Sequence, residues 1–334
     1  MAKTDNRIGI SDMASPRCLM QTRLLPLVVA LIAASPLLMP TAHAQEYTRM
    51  VERRFDMATA SPTVTIDSQF GTVTVTSGDR QVVTVRVELT VEADSREDAR
   101  RIGEDIAVDV TGTRERVTLR TTFGKTSGSS EKRSMRADVT VSVPKGTRLS
   151  VRNRFGATTV SQVMGAVECE AGFGAVTITR CGSVDVRNEF GNTSINGARG
   201  ETSVVSKNGR VRVWDIQGGR MENRYGDIEI SKATAPITVA GQMGSIRATR
   251  IAGGSIENAY GSVDVELLPD FSGTIEAHAS FGSITSDYDL EPREKRREKS
   301  YGPVPQDLIG RVGTGTGSMR IRSNFGDITL RRGN

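Results

Sequence analysis

Side chains that could act as nucleophiles, general bases or metal ligands are scarce in this sequence. It has two histidines, His43 and His278, and three cysteines in 334 residues. His43 lies in a segment that we predict is removed, so a Ser–His–Asp hydrolytic site would have to use His278. No Gly-x-Ser-x-Gly elbow accompanies it, and isolated cysteines do not make a zinc site. We therefore expect no catalytic residues, no metal site and no cofactor.

Carboxylates recur along the chain, and pairs of them could support cleavage of a glycosidic bond. They fall at regular outward positions of predicted strands: Asp185, Asp227, Glu229, Glu257 and Asp264. Solubility and pairing between neighbouring strands explain this regularity more simply than catalysis does. We expect a protein that is not an enzyme, and a carbohydrate-active β-helix is the least favoured alternative.

The single tryptophan, Trp214, is the one unusual outward residue. Other units carry a small hydroxyl side chain at this position, namely Ser161, Thr179, Ser231 and Thr249. An outward Trp can be a contact hot spot, or it can pack beneath a flanking loop. With the outward Arg212 and Arg247 it forms the candidate contact surface.

The N-terminus is typical of a secretory signal. A basic segment is followed by an apolar run over residues 24–40 and by the small-residue site Ala42-His43-Ala44. We predict that residues 1–44 are removed and that the mature chain begins at Gln45. The run is short and contains proline, so we expect no integral membrane segment after its removal. The mature chain is expected in the periplasm or outside the cell, as part of the bacterial envelope.

Net charge gives a weak indication of the partner. The first 44 residues carry four basic and two acidic side chains, so the formal net charge falls from +5 to +3. A small, dispersed positive charge does not favour nucleic acid, and export argues against it. The expected partner is an envelope protein or a surface glycan of unknown identity.

An internal repeat is the strongest signal in the chain. Seven of the nine Phe residues precede Gly, in the unit aromatic-Gly-x-Val/Ile-x-Val/Ile. The unit glycines lie 17 or 18 residues apart, at Gly156, Gly174, Gly191, Gly209, Gly226, Gly244 and Gly261. Each unit holds two short alternating strands and can bury its apolar face only by stacking on others. The repeat predicts an all-β fold, a β-solenoid over residues 151–334, with glycines at the corners and aromatics along one edge.

Two coil lengths are compatible with the repeat. A 35-residue coil would stack four equally spaced asparagines, Asn153, Asn188, Asn223 and Asn258. A coil of 17–18 residues would instead place Glu229 between Arg212 and Arg247, whereas the long coil would place it beside Asp264. Opposite charges on neighbouring strands are favourable by a few tenths to ~1 kcal/mol. The short coil is therefore favoured, although exposed ion pairs are weak indicators.

Both flanks of the repeat differ from it. Residues 45–150 are predicted to form a capping section with strands near 82–91, 106–110, 117–122 and 137–143. One helix is predicted over residues 95–104, with Ser95 as its N-cap and acidic residues in its first turn. Such a section closes the open end of a solenoid. Near the other end, a mixed-charge run predicts a solvated insertion loop at about 288–306.

Two cysteines, Cys169 and Cys181, follow the predicted signal. A disulfide is possible in an oxidising compartment. However, Cys169 occupies a position that is apolar in neighbouring units, and a free cysteine packs as a small hydrophobe. Both alternatives stay open, because a bridge depends on geometry.

These features together resemble the bacterial putative-adhesin family of β-strand-repeat proteins, a domain of unknown function related to the head-GIN adhesin-like proteins. The resemblance rests on the reiterated aromatic-Gly unit, the strand–helix–strand section around 95–110, and the ending 313–328 with Phe325-Gly326. It covers about residues 50–332 and implies an exported β-helix, often in envelope-stress or signalling contexts.

The predicted function follows from the repeat and the resemblance. We expect an exported, non-enzymatic β-solenoid that serves as an adhesin-like binding or scaffold module. The alternative is an accessory protein of envelope-stress signalling, which would have one dedicated protein partner.

Overall fold

In a computed structural model, the protein is described over residues 45–78, 80–124, 134–293 and 306–333. The predicted signal, residues 1–44, lies outside the described residues. The strands, in chain order, are β1 Gln45–Asp56, β2 Thr63–Phe70, β3 Val73–Gly78, β4 Val82–Ala93, β5 Ala107–Gly112, β6 Arg116–Thr122, β7 Ser134–Pro144, β8 Arg148–Phe155, β9 Thr158–Ser161, β10 Val167–Phe173, β11 Val176–Cys181, β12 Val184–Phe190, β13 Thr193–Ala198, β14 Thr202–Asn208, β15 Val211–Ile216, β16 Gly219–Tyr225, β17 Ile228–Ala233, β18 Ile237–Met243, β19 Ile246–Ile251, β20 Gly254–Tyr260, β21 Val263–Leu267, β22 Gly273–Phe281, β23 Ile284–Ser286, β24 Glu291–Pro292, β25 Gln306–Val312, β26 Gly317–Phe325 and β27 Ile328–Arg332; helix α1, Arg96–Asp105, follows β4.

Two long sheets face each other across the core. Sheet A has the strand order β1-β4-β7-β3-β9-β11-β13-β15-β17-β19-β21-β27-β23, and sheet B has the order β24-β25-β22-β26-β20-β18-β16-β14-β12-β10-β8-β2-β6-β5. Each coil of the repeat gives one strand to sheet B and the next to sheet A, and successive coils pair in parallel. The predicted β-solenoid is confirmed.

The short coil is the correct one. Glu229 lies in register between Arg212 on one neighbouring strand and Arg247 on the other. Asp264 lies beyond Arg247, one strand farther along sheet A. A coil therefore contains 17 or 18 residues, and neighbouring coils are about 4.8 Å apart.

Period-2 alternation places the apolar residues inside, as the sequence predicts. The second and fourth residues after each unit glycine are at most 1% exposed, as at Val176, Ile178, Val211, Val213, Ile228, Ile230, Val263 and Val265. The intervening Thr177, Arg212 and Glu229 are exposed, and Asp264 is partly buried between two arginines. The core is one continuous cluster along the stack.

The two corners of a coil are built differently. At the corner between sheet B and sheet A the unit glycine has a φ that L-residues rarely adopt, for example +135° at Gly191. At the other corner five coils place a non-glycine residue at φ between +53° and +62°: Gln162, Arg180, Asp215, Lys232 and Arg250. These φ values lie in the left-handed region, which L-residues enter at modest cost. Predicted glycines also occur in this corner, where a Cβ on Gly165 or Gly182 would lie 2.1 or 2.3 Å from a carbonyl oxygen.

The 35-residue spacing of the asparagines has a different origin from coil length. Each buried Asn donates from Nδ2 to two corner carbonyls, that of its own coil and that of the preceding coil. Asn223, for example, donates to Gly209 O at 2.8 Å and to Gly226 O at 2.9 Å. The same pattern recurs at Asn153, Asn188 and Asn258. One asparagine thus serves two coils, so alternate coils need none.

The intervening coils carry small residues in this column, namely Ala171, Ser206 and Gly241. A Cβ on Gly241 would lie 2.5 Å from Asn258 Oδ1, which shows how tightly the column is packed. Asparagine and small residues therefore alternate along this column from Asn153 to Asn258, and the last two coils carry the small residues Ser323 and Ala279.

We expect the Asn223→Ala variant to lose about 2–4 kcal/mol of unfolding free energy, because two buried carbonyls lose their donor. Ser206→Ala is the matched control in the adjacent coil, since Ser206 Oγ is buried without a hydrogen-bond partner. Its stability should change by less than about 1 kcal/mol. Denaturant unfolding measures both variants, and equal losses would contradict the two-carbonyl role.

A cap closes the N-terminal end of the stack. The first coil in the sequence is β2 and β3, and the chain then passes through β4 to β7 before it continues the repeat at β8. Two of these strands extend the stack outward, because β6 pairs in parallel with β2 and β7 with β3, whereas β4 and β5 pair antiparallel at its end. Helix α1 begins one residue after its predicted N-cap, where Ser95 Oγ accepts from the Asp98 amide at 3.1 Å. Its buried Ala99 and Ile102 join the core cluster. The predicted helix and strands of this section are confirmed in place.

The C-terminal end has a coil order that differs from the chain order. Strand β26 lies between β20 and β22, and β27 lies between β21 and β23. The last coil in the sequence is therefore inserted beneath the coil that precedes it. No predicted feature of the repeat indicated this inversion.

The charged insertion is only partly a loop. Strand β25 pairs antiparallel with β22, and the two-residue β24 pairs with β25. Tyr288 is buried and Leu290 packs against the core, which holds this hairpin on the end of sheet B. Residues 294–305, within the predicted loop, lie outside the described residues.

Candidate functional site

The predicted contact residues share the outer face of sheet A. Arg212 and Trp214 are two residues apart on β15, and Arg247 is on β19, with β17 between them. Trp214 is 37% exposed. This exposure fits a contact position better than a position packed beneath a loop. Its register neighbours are the polar Asn196 and Ser231. The structure thus brings the three side chains to one flat surface.

Ion pairs occupy the two arginines of this surface. Arg212 Nε lies 3.1 Å from Glu229 Oε2, and Arg247 Nε lies 3.5 Å from Asp264 Oδ2. Both arginines are at least half exposed, so each pair contributes little to stability. The result is a surface with alternating charge and one exposed aromatic ring.

A second surface feature runs along the edge of the solenoid at the glycine corners. We call it the aromatic ladder, and its ten rungs in spatial order are Phe70, Phe155, Phe173, Phe190, Asn208, Tyr225, Met243, Tyr260, Phe325 and Phe281. Neighbouring rings stack with centroids 4.7 to 5.1 Å apart and interplanar angles of 1 to 6°. The predicted edge of stacked aromatics is confirmed.

The polar groups around His278 form a small pocket on the outer face of sheet B. Its volume is about 290 Å³, and its walls include Glu276, Arg293, Asp307 and Arg320. Glu276 accepts from both arginines, at 3.5 and 3.0 Å, so these charges are already paired. His278 Nε2 is 3.4 Å from the hydroxyl of Ser280, its neighbour on the same strand.

A larger, open groove of about 620 Å³ crosses the first residues of five sheet B strands. It is lined by alternating serines and charged side chains that include Arg148, Glu168, Asp185 and Glu201. Within the described ranges, no cluster of His, Cys, Asp and Glu could hold a metal ion.

Two equivalent carboxyls of the repeat, Asp227 and Asp327, have pKa values below the ordinary value for aspartate, which is the opposite of what a general acid needs. The Ser245 amide donates to Asp227 at 3.1 Å, and Arg210 lies 3.1 Å from its other oxygen. These contacts hold the pKa of Asp227 below its ordinary value. A glycosidase acid needs a raised pKa, so Asp227 serves to link adjacent coils.

The two cysteines are free and buried. Cys169 points inward from sheet B, and burial raises the pKa of its thiol to about 12. Burial also raises the pKa of Cys181. Both thiols therefore stay protonated at neutral pH, which makes them poor nucleophiles.

Together, the parallel coils, the glycine corners and the stacked edge define this protein as a flattened, two-sheet β-solenoid of short coils. Among the described residues, no helix is long and apolar enough to cross a membrane.

The chain belongs to the family described as Toastrack DUF4097, whose model matches residues 63–331. The family resemblance predicted from the repeats is confirmed. No curated protein matches the chain at a significant level.

Three solved structures of low sequence identity are similar to this chain. A putative cell adhesion protein from Clostridium sporogenes is 9% identical, with 87% of this chain and 100% of that chain covered and a TM-score of 0.24. A putative adhesin from Bacteroides fragilis is 11% identical, with 84% and 97% covered and a TM-score of 0.31. A putative adhesin from Parabacteroides merdae is also 11% identical, with 86% and 96% covered and a TM-score of 0.32.

Proposed function

We propose that this protein is an exported, non-enzymatic binding module of the bacterial envelope. The partner is an envelope protein or a surface glycan, and it binds the outer face of sheet A around Trp214. The observation that carries the proposal is the exposure of this ring on a strand whose other outward residues are polar and charged.

Two physical arguments support a contact role for this surface. An exposed Trp ring loses water from a large apolar area when a partner covers it, which is why Trp is enriched among contact hot spots. The rigid parallel sheet also holds Trp214 and the flanking ion pairs in place, so little conformational entropy is lost on binding.

Trp214 itself reports on the proposed contact, because it is the only tryptophan of the chain. We expect its fluorescence to shift to shorter wavelength, saturably, when the exported protein is titrated with one of two purified envelope fractions, polysaccharide or protein. The Trp214→Thr variant should bind the same fraction about thirtyfold more weakly, the effect of losing a hot spot of about 2 kcal/mol.

The matched control is Met164→Thr, which removes another exposed apolar side chain at the same level of exposure, 40%. Its affinity should equal that of the wild type. Equal binding by Trp214→Thr would refute the surface, and release of reducing sugar ends from the polysaccharide fraction would refute the non-enzymatic role. Binding to a single protein would favour the signalling accessory.

A further inference from the structure

The aromatic ladder exposes an unusual amount of apolar surface in a single line. Seven of its rungs are 43–51% exposed, among them Phe173, Tyr225 and Tyr260. Soluble proteins rarely leave contiguous apolar strips of this kind uncovered. The ladder lies at the glycine corners, whereas Trp214 lies close to the opposite corner, so the two surfaces are separate.

Stacking within the ladder restricts what could cover it. Where rings stand next to rings, each face is covered by its neighbour at about 5 Å, as between Phe173 and Phe190. Ligands that bind by packing on a ring face, as sugars and nucleobases do, find those faces occupied. What remains exposed is a ridge of ring edges that repeats once per coil.

We propose that the aromatic ladder is the contact between two copies of this chain. A surface that repeats every 4.8 Å or so matches best another surface with the same repeat, and a second solenoid of the same sequence supplies it. A twofold contact also pairs the same patch with itself, as most soluble dimers do.

The exposed area of the ladder is close to what a dimer requires. Aromatic side chains have about 200 Å² of surface, so seven rungs that are nearly half exposed offer roughly 600 Å² per copy. A standard stable interface buries about 800 Å² per partner. The residues on either side of the rungs can supply the remainder.

The order of the rungs indicates that the two ladders run antiparallel. Asn208 and Tyr225 are the fifth and sixth of the ten rungs, at the centre of the ladder. A twofold axis between them sets the short, half-buried Asn208 of one copy opposite the exposed Tyr225 ring of the other. The notch at Asn208 then receives this ring, and its amide lies opposite the tyrosine hydroxyl.

Sedimentation velocity of the exported protein over a range of concentrations tests the dimer. We expect a reversible monomer–dimer equilibrium, and the Tyr225→Glu/Met243→Glu variant should raise its dissociation constant at least about thirtyfold. Neither side chain belongs to a stacked ring pair, so circular dichroism melts should remain close to wild type. Met164→Glu, which places the same charge on an exposed methionine outside the ladder, should dimerise normally.

A monomer at every concentration, or a dimer that survives the double substitution, would overturn the proposal. If the double variant does not fold, Met243→Lys alone provides the same comparison with Met164→Lys.

Spin labels test whether the two ladders run antiparallel. A label on Asn208→Cys should lie close to the same label on the second copy. A label on Ser283→Cys should lie roughly 40 Å from its equivalent, about nine rungs of 4.8 Å. Short distances at both positions would reject the antiparallel arrangement. The Trp214 titration is independent of this result.

Discussion

Replacing Gly191 by Val should abolish folding or lower the unfolding free energy by about 3–5 kcal/mol. The backbone φ of +135° is closed to L-residues, and a Cβ at this position would lie 2.2 Å from Gly174 O in the preceding coil. Neither the Gly174 carbonyl nor the corner at Gly191 can move without breaking backbone hydrogen bonds between the coils on both sides. Gly226→Val should behave alike, because its Cβ would lie 2.3 Å from Gly209 O at φ +122°.

The control for these variants is Gly78→Ala at the end of β3. Its φ is not in the left-handed region, and the nearest atom to an added Cβ is Ser142 Oγ at 3.5 Å, an ordinary contact. Thermal and denaturant unfolding should leave this variant within about 1 kcal/mol of wild type. Gly191→Ala adds only the Cβ, without the two methyl groups of valine. If this variant had a wild-type melting curve, the steric explanation of the corner would be rejected.

Truncation of the chain after Val312 should strongly destabilise the coils at the C-terminal end of the solenoid. The deletion removes β26 and β27, which are paired on both sides within the stack. It also removes four fully buried side chains, Met319, Ile321, Ile328 and Leu330. Their burial is worth about 6–12 kcal/mol in total at 1.5–3 kcal/mol each, which is comparable to the whole stability of a typical domain.

Differential scanning calorimetry of the purified protein measures this loss, with a chain ending at Arg332 as the control that keeps both strands. We expect the long truncation to aggregate or to melt more than 10 °C or so lower. A melting temperature equal to that of the control would mean that β22 docks directly on β20 when the intervening coil is absent.

The sequence predicted the elements that depend on local pattern. Alternating apolar residues predicted which side chains face the core, and the charges of Arg212, Glu229 and Arg247 predicted the short coil, as the register confirms. Ser95 and the acidic residues after it predicted the helix start within one residue. Each of these signals arises within one coil or between neighbouring coils.

Features that depend on distant parts of the chain were not predicted. The insertion of β26 between β20 and β22 depends on which distant strands pair, and a repeat of near-identical units carries no mark of that choice. The role of Asn223 was also missed, because a 35-residue spacing fits a long coil as well as a side chain that serves two short coils. The signal that could have separated them was the small residue in each intervening coil, Ala171, Ser206 or Gly241.

Within the candidate site, the sequence predicted the positions of Trp214, Arg212 and Arg247 on a common face. It did not predict that the aromatic ladder would be exposed, because the unit pattern places an aromatic before each glycine without showing which side of the corner it faces. In the structure seven side chains of the ladder are 43–51% exposed.

The asparagine that serves two coils constrains how such an array can change length over evolution. Duplicating or deleting a single coil would set two asparagines side by side, where Asn258 already leaves no room for a Cβ on Gly241, or would leave two small residues together and a corner carbonyl without a donor. Duplicating two coils at once preserves the alternation. Between Asn153 and Asn258 the heritable unit of growth is therefore a pair of coils, although the structural unit is a single coil. Relatives of this chain should differ in that part of the array by even numbers of coils.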